Sequence, residues 1–154
     1  MEQQRVYPTL SNPVLLDVNV PMYAAGRRHP YKNACAWILT EVAQGTLDAA
    51  IDTETTQEIL HHYGATGRRD IAVDMADYLL QIVPKVYPIL LSDAQLAIDL
   101  FRRYGARGIM ARDVIHIAVM QNNGISTIIS ADRHFDGIAG VTRLDPLDMF
   151  RPGR

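Results

Sequence analysis

Apolar residues along this chain fall into two rhythms. Short runs at Pro13 to Leu16, Leu47 to Ile51, Val86 to Leu91, Ser126 to Ser130 and Val141 to Leu144 read as strands. Between them lie longer stretches with helical period. Residues 34–44 put Cys35, Ile38, Leu39 and Val42 on one face, and residues 70–83 repeat at Ala72, Met75, Ala76, Leu79, Leu80 and Val83. A helix behind Ser92 gathers Leu96, Ala97, Leu100, Phe101 and Tyr104, and one opening at Asp113 turns Val114, Ile117 and Ala118 inward. Gly45, Gly64, Pro84, Gly105 and Asn123-Gly124 stop these helices. Asp52 or Thr53 caps the helix that runs to about Tyr63, and Ser92 with Gln95 reads as a capping box. Strands alternating with helices predict a parallel α/β sheet of about five strands.

Length and composition narrow the class. A chain of 154 residues, 48% apolar and 21% charged, predicts one ordinary globular domain and excludes a disordered segment. The expected division is a polar N-terminal extension over residues 1–12 and a folded domain over 13–150. Cys35 is the only cysteine, which excludes an internal disulfide and a cysteine-based zinc site. With no signal-like or membrane-length apolar run, the expectation is a cytoplasmic protein without a membrane partner. The net charge of -2 gives no bulk argument for nucleic acid. The arginine pairs 27–28, 68–69 and 102–103, with Arg107 and Arg112, read equally as solvated helix ends and as phosphate contacts around an acidic pocket.

The acids carry the chemistry. Asp17 and Asp132 stand just past the ends of predicted parallel strands, where ligands of open parallel sheets bind. Glu58 projects from the helix after the second strand, and Asp113 lies at a helix start before the fourth. Four converging carboxylates repel one another unless a cation neutralises them, and all-oxygen ligation suits Mg²⁺ or Mn²⁺. Glu54 shares a helical stripe with Glu58 and His62 and is the alternative ligand. Asp113 also reads as an N-cap, and Asp136 as either a fifth acidic ligand or a turn former. His116, one turn beyond Asp113, reads as a hydrogen-bonded structural residue ahead of a base.

In their order and spacing, several segments resemble a PIN domain, close to the VapC-type toxin nucleases of toxin–antitoxin pairs. They are Leu15-Leu16-Asp17-Val18-Asn19-Val20, Glu58-Ile59-Leu60, Ala111-Arg112-Asp113-Val114-Ile115-His116-Ile117-Ala118, Ile129-Ser130-Ala131-Asp132-Arg133-His134-Phe135-Asp136 and Leu144-Asp145-Pro146. Val18 departs from the Thr or Ser frequent there, losing a hydroxyl but no metal ligand. The resemblance implies a three-layer α/β/α fold and a Mg²⁺- or Mn²⁺-dependent endoribonuclease. Asp17, Glu58, Asp113 and Asp132 would hold the metal, with Asn19 and Ser130 orienting carboxylates or water. Arg112 and Arg133, each beside one of these acids, are the candidate phosphate contacts. The implied partners are RNA, a cognate antitoxin whose C-terminal segment crosses the active site, and a second copy packed through residues 34–44 and 70–83. A stand-alone RNA-processing nuclease and a non-catalytic binding module on the same fold are the alternatives. A haloacid-dehalogenase-like phosphatase fits poorly, because Asn19 stands where its general-acid Asp is needed and an amide donates no proton at neutral pH.

Overall fold

The structure is a computed structural model and is described for residues 13–150; the expected extension over residues 1–12 lies outside the described residues. Strands β1 (Val14–Leu16), β2 (Ala49–Asp52), β3 (Lys85–Tyr87), β4 (Thr127–Ile129) and β5 (Thr142–Leu144) form one sheet in the order β3-β2-β1-β4-β5. Every pairing is parallel. The helices are α1 (Asn19–Ala25), α2 (Lys32–Ala43), α3 (Thr53–Ala65), α4 (Arg69–Ile82), α5 (Leu91–Tyr104), α6 (Ala111–Asn122) and a last turn α7 (Pro146–Met149).

The central strands are buried on both faces, and the two-residue alternation of a strand splits them between two cores. Val14, Leu16, Ala49, Ile51 and Ile129 face one side, with Ile38, Ile59, Met75 and Leu79 from α2, α3 and α4. Leu15, Ala50 and Ile128 face the other, with Leu100, Val114, Ile117 and Phe135. The three-layer α/β/α arrangement implied by the sequence is therefore the observed one.

Local details differ from the sequence reading where a helix begins one or two residues early. Helix α5 starts at Leu91, so Asp93, not Gln95, reaches back to accept from the Leu90 amide (2.8 Å). Its inner face is Asp93, Ala97, Leu100 and Tyr104, and Phe101 turns outward at 49% exposure. Leu80 of α4 is likewise outside. Helix α6 starts at Ala111, which makes Asp113 its third residue, accepting from the Met110 amide (3.2 Å). Asp52, rather than Thr53, caps α3: its Oδ1 accepts from the amides of Glu54 (3.0 Å) and Thr55 (3.3 Å).

The apolar residues of 34–44 and 70–83 that the sequence offered as a dimer surface are packed in the chain's own core: Ile38, Leu39, Val42, Ala72, Met75 and Leu79. Exposed apolar side chains remain along α5, at Leu91, Ile98 and Phe101, and on the outer face of α4, at Val73, Tyr78 and Leu80. Among the described residues no helix is long and apolar enough to cross a membrane.

Candidate metal centre

The carboxyl ends of β1, β4 and β2 deliver the site. β1 and β4 are paired at Leu16 and Ile129, and the Asp17 amide continues that ladder to the Ile129 carbonyl (3.0 Å). Asp17 and Ser130 therefore emerge side by side. Ser130 Oγ donates to Asp17 Oδ2 (2.6 Å) and accepts from the Asp132 amide (2.9 Å). Asn19 Nδ2 donates to Asp17 Oδ2 and to Ser130 Oγ (3.1 Å each), and the Val18 amide donates to Asp17 Oδ1 (2.8 Å). A buried carboxylate is thus fixed from three directions.

Glu58 stands on the inward face of α3 with Thr55, Ile59 and Tyr63, and is 7% exposed. Glu54, its neighbour on the same stripe, is only half-buried and lies 4.0 Å from the Arg112 guanidinium. From α6, Asp113 and His116 reach the same edge, one turn apart. His116 is 1% exposed and sits between two acids: Nδ1 meets Asp52 Oδ2 at 2.6 Å and Nε2 meets Glu58 Oε1 at 2.5 Å. The sequence ranked His116 as a hydrogen-bonded residue but gave no partner, and it saw in Asp52 only a helix cap.

Electrostatics tie the acids into one group. Burial pushes the Asp17 carboxyl up to about 6; Glu58 and Asp113 add to the rise, and His116 and the Ser130 hydroxyl oppose it. Asp113 is raised by burial first, then by Asp132 and Glu58, against the Met110 amide and His116. Burial alone would push His116 down; its hydrogen bonds and charge pairing with Asp52 and Glu58 outweigh that and hold it well above the usual histidine range.

At the rim, oxygen atoms of Asp113 and Asp132 and a nitrogen of His134 lie within 4.8 Å of one another. His134 Nδ1 is 3.0 Å from Asp132 Oδ1, which also accepts from the His134 amide (2.9 Å). Arg112 and Arg133 are exposed beside this rim. Asp136 is engaged elsewhere: Arg143 Nε and Nη2 donate to its two oxygens (2.8 and 3.2 Å), holding its carboxyl below the usual range. Arg143 Nη1 also donates to the Ser130 carbonyl (3.0 Å) and to Asp145 Oδ2 (3.2 Å), bracing the loop after β4. Arg143 gave no signal in the sequence, because its three partners are gathered only when β5 aligns with β4.

Comparisons with known proteins agree with this architecture. The PIN domain profile matches residues 14–141. A VapC ribonuclease of Mycobacterium bovis and ribonuclease VapC13 of Mycobacterium tuberculosis are each 37% identical over 131 residues, covering 85% of this chain and 98% of each relative. Among solved structures, VapBC2 from Rickettsia felis, bound to a DNA fragment from its promoter, superposes with a TM-score of 0.67 at 14% identity over 87% of this chain and 98% of that one. VapC20 of Mycobacterium tuberculosis, a sarcin–ricin-loop-cleaving toxin, does so with 0.67 at 15% identity over 83% and 98%. With an ordered acid set on a matching sheet and a family match across nearly all of the described residues, this chain belongs to the PIN-domain family.

Proposed function

We propose that the chain is a divalent-metal-dependent endoribonuclease acting as the toxin of a toxin–antitoxin pair in the cytoplasm. The observation that carries this reading is the convergence of Asp17, Glu58, Asp113 and Asp132 at one sheet edge, two of them buried. Its direction is supported by relatives named as VapC ribonucleases. The donor set fits a hard cation: the donors are carboxylate oxygens, and an Asp17 raised first by burial and then by Glu58 and Asp113 is a group that a cation would relieve. Asp17, Glu58, Asp113 and Asp132 would hold Mg²⁺ or Mn²⁺; when bound, such an ion activates water and offsets charge on a phosphate.

The chain's own residues set the geometry. Ser130 and Asn19 hold Asp17 in one rotamer, so its free lone pairs keep a fixed direction. Arg112 and Arg133, exposed beside Asp113 and Asp132, would bind the phosphates of a strand crossing the rim and orient it without reading its bases. Hydrolysis adds water across one P–O bond and leaves a phosphate monoester and a free hydroxyl, with no protein nucleophile.

The partner reading rests on a second surface. A groove of about 440 Å³ between α1, α2 and α4 is lined by Pro21, Ala24, Leu39, Ile71, Met75 and Tyr78, among others. It offers an amphipathic antitoxin helix an apolar seat. An Arg or Lys of the same segment would dock on the acids in place of the metal. Raising Mg²⁺ should then weaken antitoxin binding. We also propose a homodimer, seated on α5, where Leu91, Ile98 and Phe101 are exposed, with Val73, Tyr78 and Leu80 of α4 as the other apolar face open to a second copy. Sedimentation of Phe101→Glu beside the native chain tests it; an unchanged dimer would move the seam elsewhere.

The deciding experiment is RNA cleavage by purified protein with Mg²⁺ and with chelator, beside growth of cells expressing the chain alone. Metal-dependent cleavage and arrested growth are expected. Cleavage in vitro with unaffected growth would replace the toxin by an RNA-processing enzyme, and no cleavage under any metal would favour a binding module.

A further inference from the structure

The proposed metal site has a buried outer arm that its ligand set does not include. Asp52, His116 and Glu58 form an unbroken line of two short hydrogen bonds, 2.6 and 2.5 Å, joining the end of β2, the middle of α6 and the inward face of α3. Asp52 is 0% exposed and His116 1%, so no water competes for these bonds. A carboxylate oxygen only accepts, so His116 donates from both ring nitrogens. That requires the protonated ring, in keeping with the strong upward hold on His116. Asp52 is itself immobile, because its other oxygen caps α3 through the Glu54 and Thr55 amides.

We infer that the Asp52–His116 pair is a positioning device for Glu58, clamping its Oε1 so that the carboxylate offers a metal ion one oxygen in one fixed direction. This rests on the reading of Glu58 as a metal ligand. Three details of the fold support it. Glu58 is the one acid of the four that comes from the middle of a helix, on a long and flexible side chain, and so most needs an external anchor. The other buried acid, Asp17, has its own clamp in Ser130 and Asn19, so the two inner acids are treated alike by unrelated means. His116 also opposes the rise of Asp17 and Asp113, so its ring lies near both of those acids as well as Glu58. With Oε1 occupied, Glu58 binds through a single oxygen, a geometry that suits the compact octahedron of Mg²⁺ or Mn²⁺ better than the larger shell of Ca²⁺.

Two neutral substitutions separate positioning from charge and from packing. In His116→Gln the amide nitrogen extends to about the place of Nε2 and keeps a donor for Glu58. In His116→Asn it stops near Nδ1 and serves only Asp52. Both lose the ring and its charge equally. Mn²⁺ binding, read by calorimetry or by the electron-spin signal of the free ion, should fall about 10- to 100-fold in His116→Asn and clearly less in His116→Gln. Equal losses in two folded variants would overturn the proposal.

A measurement on the native chain is independent of whether either variant folds. On titration with Mg²⁺, the ¹⁵N resonance of His116 Nε2 should move further than that of Nδ1, since Glu58 passes its change of charge to the nearer nitrogen. Shifts at the Asp113 and Asp132 amides with an unmoved His116 would overturn this proposal alone. No Mg²⁺-dependent shift anywhere in the site would overturn the metal-site reading and the clamp with it.

Discussion

The two halves of the acidic site are built on opposite plans. Asp17 and Glu58 are 5% and 7% exposed, and each is clamped by a residue far away in the chain: Ser130 for Asp17, His116 for Glu58. Asp113 and Asp132 are half-exposed, and each accepts an amide hydrogen from its own immediate neighbourhood, Met110 and His134. The inner half is therefore rigid and set by tertiary contacts, while the outer half is set by local turns and faces solvent. If the four acids hold an ion as proposed, a site made this way keeps two carboxylates fixed before it arrives and leaves the two at the rim free to adjust. The cost is borne by the inner half, where like charges are buried together.

The contrast is broken most severely by removing one acid from each half. Asp17→Ala and Asp132→Ala should each lower metal-dependent RNA cleavage by at least about 10²- to 10³-fold, the scale of losing one group aimed at developing charge. Both should still fold, as a thermal melt will show. Full activity in either variant would falsify the ligand assignment.

Stability should then separate the halves in the absence of metal. The folded-state value for Asp17 lies above its unfolded 3.8, at about 6, so the folded chain holds the proton more tightly. The stability this contributes is present below pH 3.8 and is lost as pH rises through about 6. The loss at neutral pH is about 3 kcal/mol at most. Asp17→Asn should recover much of it at pH 7 and flatten the pH dependence between 4 and 6. Asp113→Asn, whose carboxyl is raised but half-exposed, should recover less. Chemical denaturation across that pH range, with chelator present, measures both; a native profile that rises with pH there contradicts the buried-charge account.

A smaller effect is expected where the halves meet. Ser130 Oγ donates to Asp17 and accepts from the Asp132 amide, so Ser130→Ala disturbs one ligand from each half without removing either. Mg²⁺ affinity should fall by about 10- to 100-fold. Calorimetric titration showing native affinity would mean that the backbone alone positions these acids.

The smallest effect sharpens the choice between neighbouring glutamates. Glu54 is half-buried, with the exposed Arg112 guanidinium 4.0 Å away and the charge of His116 also acting on it. Glu54→Ala should change stability by no more than about 0.5 kcal/mol and leave Mg²⁺ binding close to native. A loss as large as that of Glu58→Ala would move the ligand one turn along α3.

Much of this protein is decided by the sequence itself. The strand–helix alternation, the punctuation by glycine and proline and the placing of Asp17 and Asp132 at strand ends depend on neighbours within a few residues, and hydrophobic period reports them directly. For the same reason the parallel sheet was legible, and so were the two acids that stand beyond its strand ends. What the sequence left open were questions of facing and partnership. Whether Glu58 or Glu54 turns inward depends on how α3 is rolled against the sheet, and both fit one stripe. Leu80 and Phe101 were placed inside by period alone, but a helix buries only as wide a stripe as its neighbours cover, and both lie beyond that edge. The apolar faces of residues 34–44 and 70–83 could serve a core or an interface equally; only packing on the sheet decided for the core. Asp52, His116 and Arg143 lay furthest out of reach. His116 lies 64 and 58 positions from Asp52 and Glu58, and Arg143 lies 13, 7 and 2 from Ser130, Asp136 and Asp145; these bonds form together only after the strands have aligned and the helices have closed over them.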